Sequence, residues 1–189
     1  SELTNRLGKA FGMAVFREDF APNPYLPLFY GDDPTKHAFD SQMFFLTEEA
    51  KQMRPLSLKL QTDPIIHDQS LEGDRFFASI LYRKMKFISK EDHATYETCY
   101  RALMRGNFLP KPDIFIAVTA SEQTVVARIK ERKREMELAM HARYPDYFPT
   151  IARSFNTWFK FLRRHHPVIV INTDDFDFVN SNRARDKTC

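Results

Sequence analysis

Four short apolar runs, Met13–Phe16, Pro64–Asp68, Asp113–Val118 and Pro167–Ile171, are separated by stretches whose apolar residues recur at helical spacing. This alternation constrains the chain more than any other feature. Strands that alternate with helices and lack hairpin signals must be joined by crossovers, so the expected fold is α/β, a parallel sheet flanked by helices. Asp113–Val118 is nearly continuous in apolar residues and reads as a strand buried on both faces; Pro167–Ile171 reads as a last buried strand. In parallel sheets ligands gather at the C-terminal strand ends, a rule that selects Glu18 and Asp68.

The helical stretches follow from spacing and punctuation. Leu3, Leu7, Ala10 and Phe11 share one face of a helix that starts at or before residue 1 and stops at Gly12. A second helix spans about Pro34 to Leu60, bent or broken near Pro55, with Gln42 polar among apolar neighbours. Further helices are expected from Phe76 to Tyr82, Lys90 to Arg105, Ser121 to about Arg143 and Tyr144 to Arg164. The expected organisation is one domain over residues 1–179, followed by a polar tail, Asn180–Cys189.

Composition excludes several classes. With 43% hydrophobic and 28% charged residues the chain is too apolar to be disordered, and no apolar run approaches the roughly 20 residues of a membrane span. The start lacks the pattern of a secretory signal, and two cysteines form neither a disulfide framework nor a C-x-x-C metal motif; a reducing, cytoplasmic setting follows. A net charge of +3 suits small phosphate-bearing ligands and falls well short of a dedicated nucleic-acid surface. The five glycines form neither G-x-G nor G-x-x-x-x-G-K, the loops whose backbone N–H groups cradle phosphate.

An ordered set of short motifs remains: Arg17-Glu18 followed by Asn23-Pro24-Tyr25-Leu26, Phe29-Tyr30, Ala38-Phe39 with Gln42, Asp68-Gln69-Ser70 with Asp74, Pro112-Asp113, and Arg128-Ile129 with Arg132-Lys133-Arg134 and Glu137. Over residues 1–179 this set resembles the deoxyribonucleoside kinases of the deoxyadenosine, deoxyguanosine and deoxycytidine kinase type. The resemblance implies a P-loop-kinase-like sheet that uses ATP and Mg2+ to phosphorylate the 5′-hydroxyl of a deoxynucleoside. It makes Glu18 the general base, a role for which a carboxylate suffices because phosphoryl transfer depends chiefly on positioning and charge. Tyr30 and Glu137 would hold the sugar 3′-hydroxyl, and Gln42 and Asp74 would read the base edge. Phe77 would stack on the base, although the family carries one more residue between the positions of Asp74 and Phe77. Arg128, Arg132 and Arg134 would neutralise the transferring phosphoryl group, and Ser1 and Asp68 would serve magnesium.

Read without the resemblance, the same residues admit plainer roles: a surface glutamate at Glu18, a satisfied helix glutamine at Gln42, a helix-start aspartate at Asp74, core at Phe77, and a solvated helix face around Arg128 and Arg132. The sequence also departs from the family at three places. The family's phosphate loop and the strand before it would precede Ser1, and that strand would lie between Pro64–Asp68 and Asp113–Val118, whose edges are otherwise unpaired. Gln69 stands where the family has arginine, and Lys133 where its lid has glycine. These departures set a second reading beside the enzyme: a catalytically degenerate accessory subunit of a large assembly such as mitochondrial respiratory complex I, with a mitochondrial location. A related nucleotide or nucleoside monophosphate kinase is the third. The kinase reading carries an expected homodimer.

Overall fold

The chain's local chemistry is visible first in how its helices begin and end. A computed structural model describes residues 2–17, 23–59, 63–105 and 109–174, with backbone alone for 55–59. These fall into two compact units, one up to Pro110 and one from Lys111 onward.

In the first unit, α1 (Glu2–Phe11) buries Leu3, Thr4 and Gly8 and ends as the glycine pattern predicts. Gly12 adopts φ 65° and the Met13 N–H returns to the Gly8 carbonyl at 2.9 Å, closing the helix with a left-handed residue. Gly8 is required by packing instead: a Cβ there would lie 2.2 Å from Val15 Cγ2 on the next strand. That strand, β1 (Ala14–Arg17), pairs in parallel with β2 (Ile65–Asp68), Ala14 opposite Ile65 and Arg17 opposite Asp68. The crossover contains a short helix α2 (Leu26–Phe29), a 3-10 turn (Pro34–Lys36) and the long α3 (Ala38–Lys59). The break expected near Pro55 does not occur: the helix continues to Lys59, and its start is delayed to Ala38 because Asp33 caps the separate turn.

Helix α4 (Leu71–Ile80) starts earlier than its apolar pattern suggested, because the Ser70 hydroxyl accepts the Gly73 N–H at 3.0 Å. It runs into a π-helical turn (Leu81–Met85) that Lys86 ends at φ 60°. Ser89 caps α5 (Lys90–Met104), and Arg75 of α4 forks onto Glu97 of α5 through two 2.8 Å hydrogen bonds while its guanidinium lies over the Tyr100 ring. The unit's core is drawn from α3 (Leu46, Met53), α4 and its extension (Ala78, Ile80, Leu81), Phe29, Phe87 and Tyr96.

The second unit is built on β3 (Phe115–Thr119) and β4 (Val168–Asn172), parallel with Phe115 opposite Val168. Helix α6 (Glu122–Arg132) is capped by Ser121, and α8 (Tyr147–Leu162) packs on both α6 and the strands. The continuous helix expected from Ser121 to Arg143 is two helices: Lys133 takes φ 53° and terminates α6, and α7 (Glu135–Arg143) restarts.

The expected parallel sheet is thus present as two two-stranded ladders among the described residues. The reading of β3 and β4 as fully buried is corrected. Within the pair only Ala117 is buried, and Ile116, Val118, Ile169 and Val170 remain 38–51% exposed. An apolar run specifies a strand able to be covered; a two-stranded ladder packed on one helix covers few of its side chains.

Candidate active site

In the first unit the sequence-predicted residues collect around the C-terminal end of β2 and the helices α3 and α4, which pack against each other. Gln42 lies on α3 and is only 3% exposed. Its amide carries two donors and an acceptor on the helix that packs against α4. Its neighbour Ser41 accepts from the buried Asn23 amide, at 3.3 Å on the carbonyl and 3.2 Å on the hydroxyl, which pins the Asn23-Pro24 segment to the helix that carries Gln42. Tyr30 caps α2 and meets Phe29 edge to face; Phe77 is half-buried on α4.

Asp74 is 4% exposed in the first turn of α4, where the unpaired helical N–H groups favour a carboxylate. Its Oδ1 accepts from the Gln69 side-chain amide at 2.9 Å. Asp68 is half-buried at the end of β2. Glu18 and Ser1 lie outside the described residues.

Three buried polar groups that the motif reading passed over belong to the same region. Glu49, on α3 two turns beyond Gln42, faces His67 of β2 with Oε1 and Nδ1 3.4 Å apart. His67 Nδ1 is also 3.0 Å from the Gln69 carbonyl, a contact that assigns the proton to Nδ1 in the neutral ring. Burial holds this imidazole below its ordinary value of 6.5. Tyr96 of α5 is fully buried, and its hydroxyl has no hydrogen-bond partner among the described residues. Burial first, and then the nearby charge of Asp74, pushes that phenol up. Glu49 was legible in principle, since positions 42 and 49 fall on one helix face. His67 and Tyr96 required the tertiary crossing.

In the second unit the predicted cations behave differently from one another. Arg128 of α6 donates from Nη1 to the Thr173 hydroxyl at 2.7 Å and from Nη2 to the Thr173 carbonyl at 2.8 Å, and that hydroxyl donates to the Thr119 carbonyl at 2.9 Å. It therefore anchors the segment after β4 to the end of β3. Asp174 accepts the Ser121 N–H, which holds its carboxyl below the usual range. Arg132 and Arg134 flank the left-handed Lys133, and each side chain is 49% exposed. Both pair with Glu137 in the first turn of α7, Arg132 at 3.0 Å and Arg134 at 3.4 Å. Glu137 is itself buried. A carboxylate between two half-exposed cations near a chain reversal is a charge arrangement that an anionic ligand can reorganise.

Among the described residues no group of three or more His, Cys, Asp or Glu side chains could hold a metal ion, and no helix is long and apolar enough to cross a membrane.

The model for the family described as deoxynucleoside kinase matches residues 1–189. A deoxyguanosine kinase of Lactobacillus acidophilus is 31% identical over 98% of this chain and 81% of its own length. A deoxyadenosine/deoxycytidine kinase of Bacillus subtilis is 27% identical over 97% of the chain and 82% of its own. Among solved structures, deoxyadenosine kinase from M. mycoides with bound dATP superposes with a TM-score of 0.78 at 25% identity, covering 98% of this chain and 90% of that one. The same enzyme with dCMP and dCDP bound gives 0.74 at 27% identity, over 90% and 82%.

Proposed function

This chain belongs to the deoxynucleoside kinase family, and from that premise we propose that it transfers the γ-phosphate of ATP to the 5′-hydroxyl of a deoxynucleoside. The observation that carries the reading is two polar side chains buried on helices that pack together, Gln42 of α3 at 3% exposure and Asp74 of α4 at 4%. A nucleobase edge offers the donors and acceptors that complement an amide and a carboxylate.

On this reading Gln42 and Asp74 recognise the base, Phe77 stacks on it, and Tyr30 and Glu137 hold the 3′-hydroxyl. Glu18 receives the proton as the 5′-oxygen bonds to the γ-phosphorus and the bond to the bridging oxygen of ADP breaks. Arg132 and Arg134, half-exposed beside Glu137, turn toward the phosphates, while Arg128 contributes its charge from a fixed position on Thr173. Magnesium keeps most of its shell as water and phosphate oxygen, so one or two protein oxygens suffice, and Asp68 with Ser1 would provide them. When bound, the ion neutralises phosphate charge. Both units then act as parts of one domain over residues 1–179, in the cytoplasm. The relatives above are all named as kinases, which gives the accessory-subunit reading no support.

The test is direct. The protein with ATP, Mg2+ and each of the common deoxynucleosides is expected to yield the 5′-monophosphate. Glu18→Gln should lower kcat by at least about 100-fold with nucleoside KM little changed. A variant as active as the wild type overturns the base assignment, and a wild type that phosphorylates no nucleoside overturns the reading.

A further inference from the structure

Gln69 occupies an unfavourable backbone conformation, φ 96°, immediately after β2. A non-glycine residue is held there only when its surroundings fix it. Two contacts do so: the His67 imidazole donates to the Gln69 carbonyl at 3.0 Å, and the Gln69 side-chain amide donates to Asp74 Oδ1 at 2.9 Å. The space for that side chain comes from Gly73, where a Cβ would sit 3.3 Å from both Gln69 Oε1 and the Ser70 hydroxyl. His67 thus fixes the Gln69 backbone, and the Gln69 side chain joins the turn after β2 to the first turn of α4 through one carboxylate oxygen.

We propose that Gln69 is a positioning residue that fixes the Asp74 carboxylate for the nucleobase, so that this chain sets its base preference through a Gln69–Asp74 pair in place of a cation directed at phosphate. The proposal rests on the reading of Asp74 as a base contact. A neutral amide suits the role: it donates to one oxygen and fixes the plane of the carboxylate without cancelling its negative charge. An arginine here would neutralise that charge and saturate both oxygens.

The experiment compares wild type, Gln69→Leu and Gln69→Glu, each assayed with the preferred deoxynucleoside and with its analogue lacking the exocyclic amine. Thermal unfolding is recorded alongside. Gln69→Leu keeps the side-chain volume and removes the donor. It should raise KM for the preferred nucleoside about tenfold, lower kcat less than threefold, and bring the KM ratio between nucleoside and analogue toward one. Gln69→Glu sets a second carboxylate against Asp74, with Glu49 of α3, His67 of β2 and Tyr96 of α5 as the other titratable groups of that region. Its KM for the preferred nucleoside should be more than about tenfold raised, and its KM ratio between nucleoside and analogue should likewise move toward one.

A loss of kcat at unchanged KM in Gln69→Leu overturns the proposal while leaving kinase activity standing. So does a fall in thermal stability with the KM ratio intact. A wild type inactive on every nucleoside overturns both this proposal and the reading beneath it. If Gln69→Leu does not fold, the KM ratio in Gln69→Glu decides: a ratio near one supports the pair and an unchanged ratio overturns it.

Discussion

The two units handle charge in opposite ways. In the first, Glu49 and Asp74 are 4% exposed, the Gln69 amide donates to Asp74, and the neutral His67 ring lies 3.4 Å from Glu49. In the second, Arg132 and Arg134 keep about half their surface in water and share one carboxylate across a chain reversal. Burial makes a polar group costly to misplace, and it therefore suits discrimination between ligands. Exposure makes a cation cheap to move, and it therefore suits charge that must follow a transferring group. The difference teaches where each kind of specificity is stored: shape and hydrogen bonding in the first unit, adaptable electrostatics in the second.

The comparison is broken most severely by removing the half-exposed cations. Arg132→Ala combined with Arg134→Ala is expected to lower kcat by about 100- to 1,000-fold and to lower the melting temperature as well, because the buried Glu137 loses both cations. Steady-state kinetics beside a melting curve checks both halves, and an unchanged kcat sinks the assignment of these arginines. Next in size is Gly8→Ala. The added Cβ collides with Val15, so the first unit should lose roughly 1–3 kcal/mol in denaturant titration despite the better helix propensity of alanine. A neutral result would mean that α1 and β1 separate readily.

The smallest expected effect is a pH dependence. His67 is held neutral by burial, so its depressed value favours the folded state above the ordinary 6.5. As the pH falls below about 6.5 the unfolded chain binds the proton first and stability declines until the folded-state value is passed. His67→Gln should flatten that limb of the stability profile, measured as denaturant midpoints between about pH 7 and 5.

Much of this arrangement is legible in the residues themselves. The positions of β1 to β4 follow from four apolar runs, and Gln42 stands out as polar among apolar neighbours, whereas Asp74, between Gly73 and Arg75, is marked only by the family resemblance. The end of α6 was not legible, because Lys133 takes a left-handed conformation that glycine or asparagine ordinarily signals. The exposure of Ile116 and Val118 was hidden for a different reason: covering a strand is a property of its neighbours. The Glu49–His67 contact joins residues on α3 and β2 that only the crossover brings together. Gln69 was visible as a departure from a family pattern, yet its partner became apparent only when the turn placed the amide on Asp74.

The aromatic face of α8 has a practical consequence. Trp158, the one tryptophan of the chain, sits in the second unit between Phe155 and Phe159, with ring centroids 5.8 and 5.4 Å away. Its emission is therefore a private optical signal of that unit, to which the first unit contributes nothing. Circular dichroism, by contrast, sums the helices of both. Unfolding curves from the two spectroscopies superimpose when the halves melt as one cooperative body and separate when they do not, so a single indole makes the cooperativity of the chain directly observable.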